Sequence, residues 1–241
     1  MRPLHELSSL TDDWEAMSAA YLPGRDQLLD AAIAAIGAHC RPAARILDLG
    51  GGPGTVARRI VDRLPTATVL VADADPALIH LGSTASPPGV GFLLTDLTTA
   101  DWPTLGSFDA VVCVLSLHYF DATTKSAVMA GAHRVLAGGG PLISIDMFGT
   151  PRRASDPEPW SRWWRRAGDS TDPGLQEALT QRRVIASAEH HTTIRRHLVD
   201  AAASGFDGHA RVLARHGRAA AVWTTASATP PDYDRPDADN A

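Results

Sequence analysis

An α/β fold with a doubly wound, mostly parallel sheet is predicted by three features of this chain. Short apolar runs alternate with helical patterns from Arg45 to Met147, the rhythm of strand–helix–strand crossovers. A glycine-rich turn, Gly50-Gly51-Gly52-Pro53-Gly54, follows the first run and leads straight into a helical pattern. Acidic or polar residues (Asp48, Asp73, Asp96, His118 and Asp146) stand at the C-terminal ends of several runs, where open parallel sheets place their ligand crevice.

Size and composition bound the rest. The 241 residues suit one α/β domain with additions, and at 44% hydrophobic they supply a sizeable core. The net charge of -5 and the scattered arginine pairs, such as Arg58-Arg59 and Arg195-Arg196, argue against a nucleic-acid or membrane surface. Cys40 and Cys113 are the only cysteines, and neither they nor His190, His191 and His197 have metal-ligand spacing. No metal is expected. With no signal-peptide pattern and no apolar run of membrane-spanning length, a soluble cytoplasmic protein is expected, as monomer or homodimer.

In order along the chain, Met1 to Pro23, with Trp14 and Tyr21, reads as a loose amphipathic helix. Arg25 to Cys40 reads as a firmer one with Leu28, Leu29, Ala32, Ile33 and Ile36 on one face. Pro42 breaks the chain before the first strand, Ile46 to Leu49. Val56, Ile60 and Leu64 mark the helix after the glycine turn. A second strand, Thr68 to Ala72, ends at Asp73-Ala74-Asp75-Pro76, where Asp75 suits an N-cap and Pro76 the first turn. Val90 to Leu94 is the third strand, and Phe108 to Val114, continuously apolar, the fourth, buried on both faces. The helix Thr123 to Leu136 and the strand Pro141 to Met147 follow. From Phe148 the composition turns to Pro, Arg and Trp, a lid insert (148–180) whose tryptophans either pack inward or wall a pocket. A helix bearing Ile194, Leu198 and Ala202, with Thr192 or Thr193 as cap, precedes an antiparallel hairpin near Ala210–Leu213 and Ala219–Thr224. The tail 230–241 has a disordered composition.

The glycine turn is a small-molecule cradle: glycines let a ligand approach the main chain, and the following helix presents free N–H groups. A dinucleotide reading rests on Gly52-x-Gly54-x-x-Ala57 alone. Pro53 removes a donor that a pyrophosphate would use, and Asp48 inside the strand has no dinucleotide role. The string Asp48-x-Gly50-x-Gly52-x-Gly54, with Asp73 some twenty residues on, Asp96-Leu97 after the third strand, Phe108-Asp109 opening the fourth and a closing hairpin, instead resembles the class I S-adenosylmethionine-dependent methyltransferases, over roughly Tyr21 to Thr224. The resemblance implies a Rossmann-like sheet of seven strands, parallel except for the hairpin. It implies a single domain over 1–229, with an N-terminal helical cap (1–42).

It also implies residue roles toward S-adenosylmethionine. Gly50, Gly51 and Gly52 would offer main chain to its methionine and ribose. Asp73, beside Ala74, would accept from both ribose hydroxyls, since one carboxylate accepts two donors. Asp96 would accept from the adenine amino group with Leu97 on the ring, unless Asp96 is only a turn residue. Val114 and Leu115 would flank the methionine amino group and sulfonium. Tyr21 and Arg25 match a segment that closes over the cofactor, where Arg25 either pairs with the methionine carboxylate or is a surface arginine. Asp48 would hold the glycine loop through backbone N–H groups.

The reaction so implied is methyl displacement from sulfonium by an oxygen or nitrogen of a small, partly apolar or aromatic acceptor, in bacterial secondary metabolism. It needs alignment, exclusion of water and a proton acceptor. His118 and His190 are the candidate bases. Tyr119, Asp146, Trp160, Trp163 and His191 are candidate acceptor contacts. A cyclisation or rearrangement that uses the same cofactor without transferring methyl is the alternative.

Overall fold

In the computed structural model the apolar runs form one seven-stranded sheet in the order β3-β2-β1-β4-β5-β7-β6. The residues described are 2–148, 158–182, 189–190, 192–206, 208, 210–215 and 218–223; the tail from 230 and His191 lie outside them. The strands are β1 (Arg45–Leu49), β2 (Thr68–Asp73), β3 (Val90–Leu94), β4 (Ala110–Val114), β5 (Leu142–Asp146), β6 (Ala210–Arg215) and β7 (Arg218–Trp223). The first five run parallel, through β1–β2, β2–β3, β1–β4 and β4–β5 pairs. β7 pairs antiparallel with β5 and with β6. The strand order reverses at β1, whose Asp48 lies opposite Val71 of β2 and Val112 of β4. A crevice at the carboxyl ends of β1 and β4 is the consequence.

The helices are α1 (Arg2–Tyr21), α2 (Arg25–His39), α3 (Thr55–Arg63), α4 (Pro76–Ala85), α5 (Ala122–Val135), α6 (Glu158–Gly168), α7 (Pro173–Gln181) and α8 (Ile194–Ala203). Their starts follow local chemistry. Asp75 caps α4 by accepting from the Ala77 and Leu78 N–H groups, with Pro76 in the first turn. Asp121 accepts from Thr124, Asp172 from Leu175 and Thr193 from Arg196 at the starts of α5, α7 and α8. Each cap contributes about 1 kcal/mol. α2 and α3 start instead from left-handed glycines, Gly24 and Gly54.

Alternation along the buried strands divides the core into two layers. Ile46, Val69, Val71, Val112 and Ile143 face α2 and α3, against Leu28, Leu29, Ile36 and Ile60. Leu47, Leu49, Val111, Cys113 and Leu142 face α5 and α8, against Val128, Met129, Val135 and Ala201. A third cluster joins Leu7 and Leu10 of α1, Leu78 and Leu81 of α4, Trp163 and Ala167 of α6, and Leu175 of α7. The N-terminal helix and the helices after β5 are thus one apolar body with α4. Burying each such leucine side chain stabilises the docking by about 2 kcal/mol.

Candidate functional site

The glycine turn occupies the end of β1 because side chains would not fit there. Gly50, Gly52 and Gly54 have φ of 64°, 55° and 75°, the left-handed region. A Cβ on Gly50 would lie 2.6 Å from Ser116 Cβ, and one on Gly51 2.5 Å from Asp48 Oδ2. Ser116 Oγ also donates to the Leu49 carbonyl at 2.8 Å, tying the turn to the end of β4. At the facing end of β4, Leu115 is the one non-glycine with positive φ (56°) among the described residues. Backbone strain of this kind costs about 1–3 kcal/mol and gathers at ligand sites.

Asp73, half-buried at the end of β2, holds the turn. Its Oδ2 accepts from the Gly52 N–H at 2.8 Å and its Oδ1 from the Asp75 N–H at 2.8 Å. Each carboxylate oxygen keeps a further lone pair for a ligand donor. Burial pushes its carboxyl up to about 6, against the opposing pull of those N–H bonds. Asp48 does not hold the turn. Both of its oxygens are buried without a hydrogen-bond partner, which corrects the sequence expectation. Burial, with Asp73's charge adding and Arg25's opposing, pushes its carboxyl up to about 7. The glycines beside it turn their N–H groups to other acceptors: Gly50 donates to Ala72 O and Gly52 to Asp73.

The adenine-side residues divide. Asp96 is exposed and its Oδ1 accepts from both the N–H and hydroxyl of Thr98, the local bonding of a turn residue. Leu97 is buried in the layer facing α5. Ala74 is exposed and Val114 half-buried.

On the other side of the turn stands α1. Trp14 lies 3.6 Å from where a Gly52 Cβ would be. Arg25, only 3% exposed, forms an ion pair with Glu15, so it is not a surface arginine. Tyr21 Oη donates to Glu189 Oε1 at 3.1 Å. Its ring centroid is 6.4 Å from His118 and 6.3 Å from Trp160.

His118 and Asp146 meet. Nδ1 of His118 lies 2.7 Å from Asp146 Oδ1, and the His118 N–H donates to Oδ2 at 3.1 Å. Both residues are buried. Burial alone would raise the Asp146 carboxyl, yet the His118 charge and hydrogen bond hold it below the usual carboxylate range. Tyr119 packs on His118 at 4.2 Å and remains 44% exposed, a polar edge open to an incoming molecule; burial of its hydroxyl pushes its pKa up to about 12. His190 is exposed; its N–H donates to the His118 carbonyl at 2.6 Å, so it touches the dyad by main chain. Lys125, buried in α5, donates to the His190 carbonyl at 3.4 Å. Trp160 is half-buried beside Tyr21 and Trp14. Trp163 is 3% exposed and donates from Nε1 to Leu10 O at 2.8 Å. It is core, not an acceptor contact, which corrects its expected role.

Four contributors were missed from sequence. Ser116 follows Leu115 and Glu189 precedes His190, so their places beside candidate site residues carry some signal. Trp14 and Glu15 lie in a mixed helix whose packing no local pattern reveals. Among the described residues no cluster of His, Cys, Asp and Glu could hold a metal ion, and no helix is long and apolar enough to cross a membrane.

A strand-order reversal over a left-handed glycine turn, flanked by strand-end acids, defines a Rossmann-like sheet, and residues 46–140 match a family model described as a methyltransferase domain. The chain is 33% identical over 126 residues to an uncharacterized methyltransferase of Mycobacterium tuberculosis, covering 52% of this chain and 58% of that one. It is 33% identical over 113 residues to demethylmenaquinone methyltransferase of Thermus thermophilus, 46% of this chain and 50% of that one. It therefore spans about half the length of these relatives. Human N-acetylserotonin methyltransferase, solved in complex with SAM, superposes with a TM-score of 0.60 at 14% identity, covering 91% of this chain and 55% of that one.

Proposed function

We propose that the chain is an S-adenosylmethionine-dependent methyltransferase whose acceptor is a small, partly apolar or aromatic molecule methylated on oxygen or nitrogen. The observation that carries the cofactor is Asp73. It sits at the end of β2, bound to the Gly52 N–H, next to a turn in which an added Cβ at Gly50 or Gly51 would collide. The turn is thus main chain packed on Ser116 and Asp48, beside a half-buried carboxylate that suits a ribose with two hydroxyl donors. Gly50 to Gly52 would face the methionine and ribose, Arg25 the methionine carboxylate, and Val114 and Leu115 the sulfonium end. The bound cofactor supplies an activated methyl group, so the protein's tasks are alignment, dryness and proton removal.

The His118–Asp146 dyad favours an oxygen acceptor. With Nδ1 committed to Asp146, Nε2 is the ring nitrogen that takes the hydroxyl proton, and the ionised carboxylate stabilises the imidazolium that results. An amine already neutral needs no such base before attack. Tyr21, Trp160 and Tyr119 surround His118 with ring faces and edges, a wall suited to a planar acceptor.

The test is a panel of small hydroxyaromatic and amine acceptors incubated with the chain and S-adenosylmethionine. Accumulation of S-adenosylhomocysteine together with a methylated phenol supports the reading. Turnover of an acceptor without demethylation of the cofactor would move it to cyclisation or rearrangement.

A further inference from the structure

Arg25 is the most enclosed arginine near the glycine turn, and its surroundings are incomplete. It is 3% exposed at the start of α2, and its ion-pair partner is Glu15 of α1, brought there by the Leu22–Gly24 corner. Arg25 Nε, Glu15 Oε2 and both Asp48 oxygens are buried without hydrogen-bond partners. Asp48, whose carboxyl feels Arg25's charge, lies directly under Gly51. The cluster holds two carboxylates and one guanidinium, and one of the carboxylates is on a helix outside the sheet. Buried polar groups left half-satisfied are costly, and a site of this kind is completed by a ligand of matching charge.

We infer that Glu15 is an internal stand-in for the carboxylate of the cofactor's amino-acid end, paired with Arg25 in the ligand-free chain and displaced when the cofactor binds. This rests on the proposed cofactor and on Arg25 as its carboxylate partner, and adds the competitor. The exchange is charge-balanced: one carboxylate leaves the guanidinium and another takes its place. Glu15, 37% exposed in its side chain, can turn to water, where its charge is solvated. Its neighbour Trp14 touches the Gly52 position and meets Trp160 and Trp163 at centroid distances of 5.1 and 5.0 Å. Glu15 therefore adjoins the tryptophan on which Trp160 of the aromatic wall packs.

The pair's contribution to the ligand-free state opposes binding, so removing it strengthens binding. Calorimetric titration of the full chain with S-adenosylhomocysteine should give a Kd about tenfold tighter for Glu15→Gln, and for Glu15→Ala, than for the unmodified chain. Methylthioadenosine, which lacks the amino-acid end, should bind all three alike. Equal or weaker S-adenosylhomocysteine affinity in the Glu15 variants, or a parallel gain for methylthioadenosine, overturns the exchange. If the unmodified chain binds S-adenosylhomocysteine and Arg25→Met binds it equally well, the exchange falls while the cofactor assignment stands. If the unmodified chain gives no heat with S-adenosylhomocysteine, the cofactor assignment falls, and the exchange with it.

Discussion

Replacing Asp48 by Asn should stabilise the ligand-free chain at pH 8 by about 3 kcal/mol more than at pH 5. The side chain is fully buried, and neither carboxylate oxygen has a hydrogen-bond partner. Ionisation is therefore opposed, and its pKa rises from 3.8 to about 7. Between those values the folded chain holds a proton that the unfolded chain has lost, so stability falls as pH rises. From pH 5 to pH 8 this one group removes about 3 kcal/mol, at about 1.4 kcal/mol per pH unit until the folded group itself ionises near pH 7. Asn matches the neutral carboxyl in size and leaves a similar unpaired polar group but does not ionise, so it stabilises by about 1.5 kcal/mol at pH 5 and by about 3 kcal/mol more at pH 8. Urea unfolding of both proteins at the two pH values gives the difference directly. Parallel stability curves across that range would refute the reasoning, because they would mean that Asp48 is not held neutral by burial.

Other substitutions test other parts of the site. Gly50→Ala combines φ of 64° with a Cβ 2.6 Å from Ser116; it should cost about 2–3 kcal/mol of stability in chemical denaturation and weaken cofactor binding. Arg182 Nε donates to the buried Asp75 at 2.6 Å, and its guanidinium lies 3.6 Å over the Trp164 ring. Arg182→Ala should loosen α7 from α4 by about 2 kcal/mol, read as faster amide exchange in α7 with the sheet unaffected. With an acceptor identified, Asp146→Asn should lower turnover by about a hundredfold or more while the cofactor Kd stays within about twofold; equal losses in both would make Asp146 a structural residue only.

What the sequence made legible was local. The glycine turn, the Asp75 cap with Pro76 and the strand ends carrying Asp73 and His118 are written in runs of a few residues, where backbone conformation and capping chemistry act. The fates of Trp160 and Trp163 were not legible. They lie three residues apart on one helix, yet one meets Tyr21 and the other donates to Leu10 across the α1 contact, and only the docking of α6 on α1 separates them. The His118–Asp146 pair joins residues from two strand ends that are neighbours only in the sheet. Asp48 defeated the reading for a different reason: an acid beside glycines suggests N–H acceptance, but Gly50 and Gly52 direct those groups to Ala72 and Asp73. The Glu15–Arg25 pair depends on the angle of the corner between α1 and α2, which no spacing rule fixes.

The most direct test is calorimetric titration of S-adenosylmethionine into the full chain and into its Asp73→Ala variant, each shown to be folded by thermal unfolding. Two charge-assisted hydrogen bonds to the ribose, together with the anchor on the Gly52 N–H, predict clear binding by the unmodified chain and a loss of about a hundredfold or more in the variant. Equal affinities, or no binding by the unmodified chain, would contradict the assignment of this glycine turn and its neighbouring carboxylate to that cofactor.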